Sequence, residues 1–215
     1  MCYFAVEEHI MAETREPVRK RTNDPEGMRQ RILDVAELAF QERGYHATSL
    51  GDLMQAAGVT GGALHHHFAT KKALGMAVIA ERVAASVEET WLRRIEEAPS
   101  ARAGVAQVFA AVADELERQG FVRGCPLNNL AHELSLADDD FRMVLAGIFE
   151  AWRAAIADRM RLDQEAGTEE GVDPDRFAAL TVATYSGAMS MAKTEQDAAM
   201  LKVCAEALAA GQGKR

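Results

Sequence analysis

The chain has 215 residues, 48% of them hydrophobic and 27% charged, an ordinary globular composition that argues against a disordered or fibrous protein and suits one or two domains. Its formal charge of −9 excludes a uniformly basic nucleic-acid binder. There is no uninterrupted apolar run of about 18 residues, so no membrane span is expected. Three cysteines, Cys2, Cys125 and Cys204, form neither a disulfide framework nor a metal-like spacing, and the expected setting is a reducing cytoplasm.

In chain order, the opening MCYFAVEEHI carries Glu7 and Glu8 and lacks the basic n-region of a secretion signal. Residues 1–24 read as an arm that precedes the folded protein. From Pro25 to Arg43, Ile32, Leu33, Ala36, Ala39 and Phe40 recur at helical spacing, and Gly44 stops the helix. Thr48 or Ser49 can cap a second helix with Leu50, Leu53, Met54 and Ala57 facing inward. A short third helix runs from about Thr60 to Phe68, and Thr70-Lys71-Lys72 opens a long fourth one that ends near Glu97, before Pro99. Further helices are predicted at about 101–119, 126–136, 138–162, 174–192 and 195–210. Gly167–Asp175 reads as a surface loop, and a break is expected near Lys193. No β alternation occurs, so the predicted fold class is all-α with about nine helices.

The acidic excess is uneven. The first 75 residues carry nine Lys/Arg against ten Asp/Glu, and the remainder fifteen against 23. A near-neutral head can still present cations locally to phosphates while an acidic body stays clear of them. Within that head, Ala57, Gly58 and Val59 supply the small residue, tight turn and apolar anchor that join two helices in a helix-turn-helix. Gly58 can take the left-handed conformation, Thr60 can cap the second helix, and Leu64 and Phe68, four apart, point to one side. Residues 60–63, 65 and 66 are left facing outward.

Residues 48–74, TSLGDLMQAAGVTGGALHHHFATKKAL, resemble the N-terminal domain of the tetracycline-repressor family. With the helix from Arg29 to Gly44 the likeness covers about 45 residues. The resemblance implies a sequence-specific, DNA-binding transcription regulator, most often a repressor, that binds a palindromic operator in double-stranded DNA as a homodimer and answers to a small-molecule effector. By matching position, Thr48 and Lys71 would hold phosphates, and Thr60, Gly61, Gly62, Ala63 and His66 would lie nearest the bases. His65 stands where the family usually carries Tyr, and imidazole can still donate a hydrogen bond there. Gly61 and Gly62 leave two readings open, a close backbone approach to DNA or a loosely formed helix ordered on binding. Three successive histidines diverge by about 100° each, so His65–His67 are not expected to hold a metal. Arg19-Lys20-Arg21 either follows the minor groove, as basic arms can, or is simply solvated.

These signals divide the chain into an arm at 1–24, a DNA-binding domain at 25–74 and an effector-binding and dimerisation domain at 75–215. In the last, GCPLNNLAHELS at 124–135 resembles a segment of one subgroup of the family, whose sensor domains carry Gly-Cys-Pro here. Pro126 suits the first turn of a helix. That would set Cys125 at the helix N-terminus, where a thiol pKa can fall, aided by Arg123. Cys125 is thus either an electrophile or oxidant sensor, or a buried small residue. Phe109, Trp152 and Tyr185 are candidates to line an effector cavity, with Asn128, Asn129 and His132 as its polar contacts. The small residues of 174–210, among them Ala183, Gly187 and Ala188, correspond to the family's dimerising helices. No second His completes the His132-Glu133 string to a zinc-protease motif, and no Gly-x-Ser-x-Gly, phosphate loop or dinucleotide fingerprint occurs. Neither an enzyme nor a cofactor is expected.

Overall fold

The computed structural model describes residues 24–209, and within them all regular secondary structure is helical. The helices are α1 (Pro25–Arg43), α2 (Leu50–Ala57), α3 (Gly61–His67), α4 (71–97), α5 (Ala101–Gln119), α6 (Pro126–Leu134), α7 (Asp139–Glu165), α8 (Pro174–Glu195) and α9 (Ala199–Ala209). The Arg19-Lys20-Arg21 run lies outside the described residues.

Local chemistry accounts for most boundaries. Asp24 caps α1 by accepting from the Gly27 N–H at 2.9 Å, and Ser49 rather than Thr48 caps α2, in a reciprocal box with Asp52. Thr60, Thr70, Ser100, Asp138 and Asp173 each accept a backbone N–H at the start of α3, α4, α5, α7 and α8, satisfying donors that no helix can satisfy within itself. Pro126 and Pro174 sit in the first turns of α6 and α8, where their missing N–H costs nothing. The break expected near Lys193 falls slightly later: α8 continues to Glu195 and stops at Gln196, which adopts the left-handed conformation at φ 56°. Lys193, on the exposed side of α8 and with no proline or glycine beside it, gives the helix no reason to end.

Helix α4 contains two wide, π-type turns, Ile79–Val83 and Glu88–Leu92, which periodicity alone does not foreshadow. Insertions of this kind occur often at functional positions in helices. The second one turns Trp91 into the core, where it is 1% exposed. At the far end of α4, Arg159 donates to the carbonyls of Ile95, Glu96 and Ala98 at 2.6–2.8 Å. Asp163 accepts from Arg159 at 3.0 Å and from the Ala101 N–H at 2.5 Å. One ion pair thus closes both the end of α4 and the start of α5.

Helices α1–α3 form a head around Ile32, Leu33, Ala36, Phe40, Leu53, Leu64 and Phe68, all buried. Helices α5–α9 form a body in which α9 lies on α5 and α8, and α8 lies on α7. Helix α4 belongs to both, packing on α1 at its first half and on α5 and α7 further along, so residues 74 and 75 fall inside one helix. The body core centres on Trp91, Phe109, Trp152 and Tyr185, whose rings meet at centroid distances of 4.8–5.8 Å. Most of these pairs meet edge-on, the arrangement their quadrupoles favour.

Candidate nucleic-acid interface and the cleft behind it

The turn between α2 and α3 is built on Gly58, left-handed at φ 63°. Leu64 and Phe68 anchor α3 to the head core, which leaves Thr60, Gly62, His65 and His66 exposed and Gly61 and Ala63 half-buried on its outer side. A β-carbon on Gly62 would meet nothing within 4 Å, and one on Gly61 only the Met54 sulfur at 3.5 Å. Nothing among the described residues therefore requires glycine at either position.

Thr48 must be separated from this group. Its side chain is fully buried, and its hydroxyl donates to the carbonyls of Gly44 at 2.8 Å and Ala39 at 3.3 Å. The expected phosphate contact is corrected accordingly: the hydroxyl is spent on the end of α1 and points away from solvent. Ser49, one residue on, takes the exposed capping position.

Lys71 opens α4 beside the turn that links α1 to α2. Its ammonium donates to the His46 carbonyl at 3.3 Å and stands 4.4 Å from the centre of the Tyr45 ring. Partial burial lowers its pKa and the Glu133 carboxylate opposes that. Lys72 takes another direction, donating to Asp138 at 2.6 Å and Asp140 at 2.7 Å and tying α4 to the start of α7.

Behind the head lies a cleft of about 520 Å³ between the C-terminal end of α1 and helices α6 and α8. Gln41, Gly44, Asn128, Asn129, His132, Glu133 and Lys193 are among its lining residues. The three polar residues singled out from sequence thus come together here. Asn128 accepts from the Ser186 hydroxyl at 3.2 Å, and Asn129 donates to the Arg123 carbonyl and accepts from Lys193, both at 3.0 Å. His132 stands exposed at the rim.

Two lining residues escaped the sequence reading. Glu133 accepts from the backbone N–H groups of Tyr45 at 2.8 Å and His46 at 2.6 Å, and Gln41 donates to the Gly124 carbonyl at 3.1 Å. Both contacts join residues more than 80 positions apart, which no local pattern encodes. The one local signal is Gly44. Its φ is 89° and its β-carbon would come 3.0 Å from the Glu133 carboxylate, so the glycine marks both a left-handed backbone and a close approach.

Cys125 borders the cleft and also lines a second, smaller pocket of about 30 Å³ with Trp91, Trp152 and Tyr185. It stands at the N-terminus of α6 and is buried, which favours the buried-residue reading of the two left open for it. Burial pushes its thiol pKa up, outweighing the opposing N–H contacts of Asn128 and Leu127. Arg123, expected to assist, is turned to Glu42 at 3.0 Å. Burial also raises the Tyr185 hydroxyl well above the ordinary phenol range. Phe109, fully buried against Trp91 and Tyr185, lines neither cavity and is packing rather than pocket. Among the described residues, no three His, Cys, Asp or Glu side chains are grouped so as to hold a metal. None of the described helices is long and apolar enough to cross a membrane.

Two family models match separate parts of the chain. Residues 32–78 match "Bacterial regulatory proteins, tetR family", and residues 101–207 match "Transcriptional regulator LmrA/YxaF-like, C-terminal domain". The transcriptional regulator AcuR of Cereibacter sphaeroides is 32% identical over 195 residues, covering 83% of this chain and 85% of that protein. The chain belongs to the TetR family of bacterial regulators. The transcriptional repressor DhaR of Mycobacterium sp. strain GP1 is 31% identical, with 79% of this chain and 84% of that protein aligned. A crystal structure of a TetR regulatory protein from Rhodobacter sphaeroides superposes with a TM-score of 0.75 at 26% identity, covering 84% of this chain and 96% of that one. This TetR-family protein, helical in its described residues, is accordingly a helix-turn-helix, DNA-binding transcriptional regulator from a family of regulators.

Proposed function

We propose that this chain is a cytoplasmic homodimeric repressor that reads a palindromic operator through α3 and releases it when an effector occupies the cleft between α1, α6 and α8. The carrying observation is that head and body build this cleft jointly: Gln41 and Gly44 come from the head, and Gly124, Asn129, Glu133 and Lys193 from the body. An occupant that fits only when these walls shift stabilises one arrangement of the head over another, as release requires.

In this reading Lys71 contacts a phosphate and Thr60, Gly61, Gly62, Ala63, His65 and His66 meet the duplex, with Gly62 allowing backbone approach. Two copies pair through the outer faces of α8 and α9. There Leu180, Ala183, Gly187 and Met191 form an exposed stripe with Val203 close to the chain's end, and a smooth face of small side chains permits close helix packing. Pairing sets two α3 helices roughly one helical turn of DNA apart. Asn128, Asn129 and His132 supply polar contacts to the effector, with Trp152 and Tyr185 behind them. The Gly124-Cys125-Pro126 segment supports placing the chain with the subgroup that carries this tripeptide. The raised thiol pKa favours reversible occupancy over attack by Cys125 on an electrophile.

The test is selection of duplexes from a random library by the purified protein under reducing conditions. Enrichment of a palindrome supports the reading. A pool that remains random at both low and moderate salt removes it.

A further inference from the structure

The turn Gly44–His46 is gripped from three sides. From the body, Glu133 accepts the N–H groups of both Tyr45 and His46. From α4, Lys71 donates to the His46 carbonyl. Between them the Tyr45 ring is wedged against Phe40 of the head, at 5.1 Å, and Phe141 of α7, at 5.3 Å. A β-carbon on Gly75 of α4 would come 2.7 Å from the Tyr45 ring, so α4 closes on it with no slack. Shortly beyond this turn, Ser49 caps α2, the first helix of the helix-turn-helix.

Gln41 of the head also donates to a backbone group of the body, the Gly124 carbonyl, but the ion pairs that tie α1 to its surroundings are of a different kind. Arg29 with Glu81, Arg82 with Asp34 and Gln30, and Glu42 with Arg123 are partly exposed side chains joined at their tips. Such pairs tolerate reorientation and contribute little individually. Glu133 instead holds two consecutive backbone donors in a fixed fork, a charge-assisted arrangement with defined direction.

We infer that Glu133 is a positioning residue for operator recognition: it sets the angle of the reading head on the body through the Gly44–His46 turn, and it is the point where cleft occupancy acts on that angle. The inference rests on the operator-binding reading above and adds the element that transmits it. Glu133 borders the cleft while α6 also carries Asn128 and Asn129, which bond to Ser186 and Lys193 of α8. A shift of α6 toward or away from α8 therefore pulls on the same carboxylate that holds the turn.

The experiment compares full-length wild type with Glu133→Gln and Glu133→Ala. Each is tested on the selected duplex and on a scrambled duplex, with amide exchange of Tyr45 and His46 followed in the free protein. Glu133→Gln keeps one acceptor and the side-chain volume, so it reports even where the alanine variant folds poorly. The expected result is faster exchange at both amides and a loss of about tenfold in affinity for the selected duplex, the scale of losing a charge-assisted hydrogen bond. Affinity for the scrambled duplex and the salt slope stay unchanged, because the phosphate contacts remain. A structural lesion would instead lower both affinities together. An unchanged ratio of specific to non-specific affinity overturns the inference. If wild type selects no duplex, the repressor reading fails, and exchange at Tyr45 and His46 that is the same in Glu133→Gln as in wild type overturns the grip independently.

Discussion

Thr48 and Lys71 show how two residues with the same expected role part company once packed. Both were expected to meet phosphates, yet one hydroxyl is buried on the Gly44 carbonyl and only the ammonium stays at the surface. Thr48→Val is expected to destabilise the fold by about 1–3 kcal/mol, because it leaves a buried carbonyl short of a partner, and to leave the salt slope of DNA binding unaltered. Lys71→Ala is expected to lower that slope by about 1. Chemical denaturation and affinity titrations over a salt series read the two effects separately, and a changed slope in Thr48→Val would return its hydroxyl to the interface. The cysteines divide in the same way. Burial raises the pKa of both, but Cys125 is buried while Cys204 is half-buried and open to a reagent. Alkylation of the native protein at neutral pH, followed by peptide mass analysis, should label Cys204 well before Cys125. The reverse order would revive the thiol-sensor alternative.

Among elements, α4 connects the reading head to the aromatic core, and its ties are readable by pH. The hydrogen bond from Lys72 holds the Asp138 carboxyl below its ordinary value of 3.8. A carboxyl depressed in the folded state contributes stability above its unfolded pKa, and that contribution disappears as pH falls through the folded value. Lys72, raised by the same contact, loses its share only at strongly alkaline pH. The stability difference between wild type and Asp138→Asn is therefore expected to stay constant from pH 5 to pH 8, measured by denaturant unfolding. It should shrink below pH 3.8. A difference that changes between pH 5 and pH 8 would mean that another group controls this junction.

For the whole molecule, the prediction concerns assembly. The exposed stripe of α8 is too apolar to leave in water comfortably, with Leu180 and Met191 each more than 40% exposed. Leu180→Glu is expected to yield a folded monomer in sedimentation, with helical content retained and affinity for a palindrome lost. A Leu180→Glu protein that still sediments as a dimer would place the interface elsewhere.

The helices and the reading head were legible because they rest on local rules. Caps, a turn glycine and apolar spacing lie within a few residues of what they control, and Ser49-x-x-Asp52, Gly58 and Thr60 carry them. The exact end of α8 at Gln196 and the wide turns of α4 were not legible, since neither has a glycine or proline to announce it. Of the site, Asn128, Asn129 and His132 share a cleft because helical spacing puts them on one short helix. The roles of Thr48, Cys125 and Phe109 depended on burial, which follows from how distant segments pack. Sequence alone determined that the chain is helical, that it carries a helix-turn-helix and where most of its helices begin, since short-range sterics and hydrogen bonding set these. Only the tertiary structure decided which polar groups stay wet, that burial outweighs the helix terminus at Cys125, and that Glu133 reaches back to hold the turn at Gly44–His46. Desolvation and contacts across more than 80 residues exist only once the chain has folded.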